Sequence, residues 1–320
     1  MMNLFHIDLD FLKESRIIEW AYTEELEPRT YQNYLEWVDK GMSGPLKYLT
    51  DHRKDKRKSL SEVYPECESV LVFLFDYRAA KKYLLDQKIE NKIAAYTIGF
   101  DDEDYHVWIR NKLVAIGSKL QEKFLDLDFK LSLDIHPVLE RDLAERAGLG
   151  WFGKNSMIIS QEFGSYHLIG SLLLNQKLEL QTKNQIVDHC GTCTRCIDAC
   201  PTDAIIPGKR TLDASKCIST FTIELFKDST PPAGYPANSQ EVFGCDICQE
   251  VCPWNNKPLN LIKSSDKSLL VDFFNRDLNV ICDDINKMSN REFKLFFQNT
   301  SFERVGKQGL LKNLKYYLER

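Results

Sequence analysis

Residues 190–205 read CGTCTRCIDACPTDAI, residues 215–220 read SKCIST, and residues 244–255 read GCDICQEVCPWN. Eight of the ten cysteines lie in these three pieces: Cys190, Cys193, Cys196, Cys200, Cys217, Cys245, Cys248 and Cys252. The first four follow C-x2-C-x2-C-x3-C, and both Cys200 and Cys252 are followed by proline. The rest of the chain is organised around them.

That spacing is the ferredoxin run, in which the fourth cysteine serves the other cluster of a pair. Three thiolates two residues apart wrap one iron–sulfur cube, and the fourth, beside its proline, points away. Cys190, Cys193 and Cys196 then take Cys252 as their fourth ligand. Cys245 and Cys248 take Cys200, and Cys217, the remaining cysteine of the stretch, completes them. The set closes as two [4Fe–4S] clusters. Paired C-x2-C motifs also make zinc sites, but zinc accounts poorly for the triplet run. Disulfides are disfavoured because nothing points to an oxidising compartment.

At 320 residues the chain makes one large or two modest domains. A hydrophobic content of 43%, a charged content of 28% and a net charge of −5 are ordinary for a globular protein and announce no overall basic field. The opening MMNLFHIDLDFLKES has neither a basic leader nor a long apolar run, and no stretch is long and apolar enough to span a membrane. A reducing cytoplasm is the expected location.

In the first part, residues 11–40 carry apolar positions at helical intervals (Ile17, Ile18, Trp20 and Ala21, then Tyr31, Tyr34, Leu35 and Val38) and predict helix, interrupted at Pro28. The basic run DHRKDKRKSL (51–60) is a solvated loop or an anion-binding loop. VLVFLF (70–75) predicts a buried strand. Ile109, Leu113, Ile116 and Leu120 predict an amphipathic helix, with the acidic run Asp101–Asp104 placed to complement its N-terminus. FKLSLDI (129–135) alternates, with Phe129, Leu131, Leu133 and Ile135 on one face and Asp134 on the polar one. A short helix over 138–147 ends at Gly148. GLGWFGKNSMII (148–159) places three glycines before Lys154 and Asn155, a turn that lets backbone approach a ligand, but it is not a phosphate loop. YHLIGSLLL (166–174) predicts another strand. Cys67 and Cys282 are expected to be buried thiols.

The expected fold class is α+β. Residues 1–180 form an α/β domain, 181–260 a ferredoxin-like module and 261–320 a helical tail. From Lys287 onward there are eight Lys/Arg against three Asp/Glu, +5, so the remainder carries −10; the asymmetry hints at a polyanion partner.

DIHPVLERDLAERAGLGWFGKNSMII (134–159), CGTCTRCIDACPTDAI, LDASKCISTFTIEL (212–225), FGCDICQEVCPWN (243–255) and SNREFKLFFQNTSFERVGKQGLLKN (289–313) together resemble epoxyqueuosine reductases, in order and over nearly the whole chain. The resemblance implies a nitroreductase-related, sandwich-like domain holding base-off cobalamin, charged by two [4Fe–4S] clusters. It implies reduction of epoxyqueuosine to queuosine at the wobble position of tRNAs with a GUN anticodon, an external low-potential electron donor and a soluble monomer. Asp134 matches the proton donor of the family. Arg57, Asp134, Arg141, Lys154, Asn155 and Ser219 are the implied cobalamin contacts. Two departures stand out. His136 occupies a position that is usually small, and the chain ends soon after LLKN, where some members carry helical repeats. The alternative is a cobalamin and iron–sulfur reductase acting on a small molecule, like the reductive dehalogenases.

Overall fold

The computed structural model describes residues 9–89, 92–226, 229–236, 240–264 and 267–318, so the opening eight residues of the sequence lie outside it. The chain packs as two compact units, Met1–Asp76 with Trp108–Thr192, and Tyr77–Val107 with Cys193–Arg320. Both are mixed helix and sheet.

The first unit is built on a four-stranded sheet in the order Ile17–Thr23, Ser69–Asp76, His167–Leu174, Phe129–Ser132, with every neighbouring pair antiparallel. The central VLVFLF stretch is wholly buried because both of its faces are covered. Val70, Val72 and Leu74 pack on one side with Leu143 and Ala144 of the helix Glu140–Arg146 and with Ala147, which caps it. On the other, Gly170 leaves room for the helix Tyr105–Gln121: a Cβ there would stand 2.9 Å from both Ile109 and Phe75. Ile109, Leu113, Ile116 and Leu120 of that helix are fully buried, as their spacing predicts. Each such side chain contributes about 1.5–3 kcal/mol.

Two expectations for this unit need correction. Residues 17–23 form a strand, not a helix, and the register shifts between Ile17 and Glu19. A bulge of this kind disrupts the alternation that identifies a strand, while the β-branched and aromatic content of IIEWAYT favours the pleated surface. The strand at 129 stops at Ser132, where it faces Ser171, so Ile135 does not join the inward face and is 63% exposed.

In the second unit the parallel pair Glu241–Phe243 and Lys92–Ile93 and the hairpin Ile205–Ile206 with Thr211–Leu212 are the only strands among the described residues. Helices make up the remainder. A phenylalanine cluster holds the C-terminal ones together, with the Phe274 and Phe302 rings 4.9 Å apart and Phe297 and Phe302 5.6 Å apart. Ser289 and Glu292 form a reciprocal cap on Asn290–Phe296, and Phe302–Leu318 kinks at Gly306, whose φ of +66° suits glycine. The described residues from Leu269 to Leu318 are mostly helical. Asp102 serves a different helix from the one its neighbours precede. It accepts bonds from the Ser268 hydroxyl at 2.6 Å and the Leu269 amide at 2.9 Å, at the start of Leu269–Phe274.

Candidate active site and cluster ligands

None of the eight clustered cysteines is in a disulfide, nor are Cys67 and Cys282, which are buried. Cys196 lies on the short helix Arg195–Asp198 and Cys248 on Ile247–Glu250, and these two helices pack against each other. Cys252 directly precedes the helix Pro253–Asn260, whose first position is the proline. Cys200 Sγ accepts the Ala204 amide at 3.3 Å. Burial pushes the thiols of Cys217, Cys245 and Cys248 above their usual range. The same groups feel one another: Cys217 responds to the charge of Cys200, Cys245 to Cys248 and Cys217, and Cys248 to Cys217, Cys196 and Cys200. Cys200, Cys217, Cys245 and Cys248 thus share one electrostatic neighbourhood. A buried thiolate group of this kind is unfavourable alone and becomes favourable against a cationic iron centre, so the donor set fits a cluster. No three His, Cys, Asp or Glu side chains among the described residues are arranged to hold a single metal ion.

The segments bearing these ligands are held by residues that the sequence did not single out. Asn313, 1% exposed, donates to the Thr222 carbonyl at 2.8 Å and the Val242 carbonyl at 2.9 Å. It therefore ties the turn that follows Cys217 to the strand that precedes Cys245. The Thr222 hydroxyl accepts the Gly244 amide at 3.0 Å. Lys312 donates to the carbonyls of Phe221 and Leu225. Lys312 and Asn313 are the last letters of the quoted LLKN, which is where a signal existed. Buried Lys81 pairs with Asp246, between Cys245 and Cys248; nothing local marks it.

The tail also uses its basic residues internally. Arg304 pairs with Glu224 at 2.6 Å, Lys307 donates to the Asn286 and Met288 carbonyls, and Lys312 points into the loop after Cys217. Charge counted as available for a polyanion is in these cases spent on the fold.

Of the six implied cobalamin contacts, Arg57, Asp134, Arg141, Lys154 and Asn155 belong to the first unit and Ser219 to the second. Arg53–Lys56 of the basic run form a short helix rather than a loop, and Arg57, which follows it, is 6% exposed. Its guanidinium donates to the Arg53 carbonyl at 2.9 Å and to that of Tyr48 at 3.5 Å, and lies over the Tyr34 ring. Arg141 donates through Nη1 to the Ser156 carbonyl and hydroxyl, each at 2.7 Å, and not to Glu145, which accepts the Phe152 amide. Tyr48 lies within electrostatic reach of Arg141 as well. The structure therefore brings Arg57 and Arg141 to a common neighbour.

Lys154 donates to the Gly191 carbonyl at 2.7 Å. Asn155 is buried and accepts the Met157 amide at 3.2 Å, closing the hairpin of Trp151–Phe152 with Ile158–Ile159. The glycines of that turn approach the chain itself. A Cβ at Gly150 would stand 2.4 Å from the Ile159 carbonyl oxygen, and one at Gly153 2.5 Å from Asn155 Oδ1. Ser219 lies close enough to the Cys217 thiol to oppose the effect of burial on it. Asp134 is an exposed residue in the turn between Ser132 and Glu140. Arg141 retains Nε–H and Nη2 donors, and guanidinium groups match the amide oxygens that rim a corrin ring. In that sense the donor set fits cobalamin.

A family model for a 4Fe-4S double cluster binding domain matches residues 189–255, which span all eight cysteines. Another, described as epoxyqueuosine reductase QueG, DUF1730, matches residues 57–134. The epoxyqueuosine reductase of Leadbetterella byssophila is 35% identical over 93% of this chain and 91% of its own length. That of Synechocystis is 36% identical over 71% and 75%. Among solved structures, epoxyqueuosine reductase from Streptococcus thermophilus superposes with a TM-score of 0.79 at 23% identity, covering 99% of this chain and 81% of that one. An epoxyqueuosine reductase crystallised with an epoxyqueuosine-modified tRNA-Tyr stem loop gives 0.74 at 24%, covering 97% and 79%. A mixed helix-and-sheet fold joined to a double-cluster cysteine run defines an iron–sulfur oxidoreductase. The chain belongs to the epoxyqueuosine reductase family.

Proposed function

We propose that this protein reduces epoxyqueuosine to queuosine in tRNA, at the wobble position. The observation that carries the reading is 35% identity to a named epoxyqueuosine reductase over 93% of the chain. The overall change consumes two electrons and two protons, and the epoxide oxygen leaves as water while a carbon–carbon double bond forms.

Cys190, Cys193, Cys196 and Cys252 hold one [4Fe–4S] cluster, and Cys200, Cys217, Cys245 and Cys248 the other. The clusters supply single electrons from an external low-potential donor. Base-off cobalamin, when bound, supplies a strongly reducing cobalt centre. Arg57 and Arg141 orient its amide rim, and Lys154 and Asn155 act as further contacts through the hairpin they close. Asp134 gives a proton to the departing oxygen, and its exposure lets it reload from solvent. Ser219 is a further proposed contact. The functional division is residues 1–180 for cobalamin, 181–260 for the clusters and 261–320 as the helical tail. No helix among the described residues is long and apolar enough to cross a membrane, and we take the protein to work as a cytoplasmic monomer.

Anaerobic incubation with tRNA carrying epoxyqueuosine tests this directly. The modified nucleoside should lose one oxygen by mass only when cobalamin and a reductant are both supplied. Unchanged nucleoside under those conditions would refute the reading, and turnover without cobalamin would remove that cofactor from it.

A further inference from the structure

We infer that His136 is the positioning residue for Asp134, its imidazole holding the turn that carries the proposed acid. The inference rests on the role given to Asp134 above and adds the device that aims it.

The strand Phe129–Ser132 ends one residue before Leu133, so the Leu133 amide is without a ladder partner in the sheet. The side chain three residues on replaces it: the Leu133 N–H donates to His136 Nδ1 at 3.1 Å. The His136 amide returns a bond to the Leu133 carbonyl at 2.8 Å. Leu133 is a buried anchor at 2% exposure, and His136 is half-buried, while Asp134 and Ile135 between them are exposed. The turn is thus closed at both ends by one residue pair and presents the carboxylate at its apex. An amide N–H can only donate, so Nδ1 accepts and the neutral ring carries its proton on Nε2.

Protonation removes that acceptor. Nδ1–H then faces the Leu133 N–H, and the other atom within reach is the Leu133 carbonyl at 3.3 Å, already bonded to the His136 amide. Burial holds the His136 pKa below its ordinary value, and Lys130 on the strand and Arg110 on the helix Tyr105–Gln121 act in the same direction. The Leu133 carbonyl, as an acceptor for the protonated ring, and the Asp134 charge oppose them. The net direction keeps the ring neutral, and the closed turn intact, across the neutral range. The closed form weakens as pH falls below the ordinary histidine value of about 6.5.

Three variants separate this from a purely structural role. Asn places its side-chain oxygen near the Nδ1 position, Gln places it near Nε2, and Ala offers no acceptor. Hydrogen exchange at the Leu133 amide reads the contact without reference to activity. His136→Ala and His136→Gln should exchange at least tenfold faster there and lose ten- to hundredfold in kcat, with KM for tRNA, iron and cobalamin content unchanged. His136→Asn should restore protection and turnover and remove the acid-side fall in protection. Equal Leu133 exchange in the wild-type and His136→Ala chains overturns the inference, as does equal kcat in the Ala, Gln and Asn variants. An Asp134→Ala chain that turns over normally overturns the acid role, and with it the catalytic consequence, while the exchange data still decide the contact itself.

Discussion

The ammonium group of Lys154 donates to the carbonyl of Gly191 at 2.7 Å. Gly191 follows Cys190 in the first ligand loop and has a φ of +49°, a region that glycine enters readily. The bond ties that loop to the turn of the hairpin of Trp151–Phe152 with Ile158–Ile159. Lys154→Met should therefore release iron from the first cluster about fivefold faster under an oxygen challenge, with the second cluster unaffected; a charge-assisted bond of about 1.5 kcal/mol or less at an exposed site gives an effect of that size. Time-resolved EPR of the two reduced clusters reads the difference.

Lys81 is 4% exposed and lies 3.1 Å from Asp246 and 2.5 Å from Glu250. Burial alone would lower its pKa, but the two carboxylates reverse that and hold it above the ordinary value. A raised folded pKa means the pair stabilises the fold fully below the unfolded value of about 10.4 and ceases to do so as pH rises through the folded one. Lys81→Met strands a buried carboxylate and should cost about 3–5 kcal/mol in anaerobic denaturant unfolding. The variant should also lose the part of the alkaline stability decline that belongs to this pair.

How much of this could be read from the sequence depended on whether the deciding partner was near in the chain. VLVFLF and the Ile109–Leu120 spacing were legible because burial on both faces and a helical stripe leave their own periodicity. Ile17–Thr23 was not, since the bulge beside Ile17 removes the alternation and leaves a spacing that also suits a helix. Alternation placed Ser132 and Asp134 on one polar face, yet Ser132 is wholly buried opposite Ser171 and Asp134 is exposed. The strand ends between them, and a turn resets the parity. The bond from the Ser268 hydroxyl to Asp102 joins residues 166 apart, a distance over which no local pattern carries information. The cysteines were legible by spacing alone; Asn313 was marked only as part of the quoted LLKN, and Lys81 by nothing local.

Cys217 sits apart from the regular cysteine runs, so its assignment to the second cluster is the least obvious of the eight. Its electrostatic proximity to Cys200, Cys245 and Cys248 supports it. Cys217→Ser should leave the first cluster's EPR signal intact and lower reconstituted iron from about eight to about four per chain. A variant that keeps both signals unchanged would take Cys217 out of the ligand set.

Arg141 holds the Ser156 carbonyl and hydroxyl through one nitrogen and keeps two further donor groups. Arg141→Met should weaken cobalamin binding by about tenfold or more, the worth of one charge-assisted hydrogen bond, without changing iron content. Equilibrium dialysis of the chain with reconstituted clusters measures this, and unaltered binding would remove Arg141 from the contacts.

The direct measurement of the central claim is metal and sulfide analysis, with Mössbauer spectroscopy, of the wild-type chain purified and reconstituted without oxygen. About eight irons and eight acid-labile sulfides per chain, in two [4Fe–4S] signatures, is the expected result. Iron-free protein with zinc bound to these thiols would contradict it.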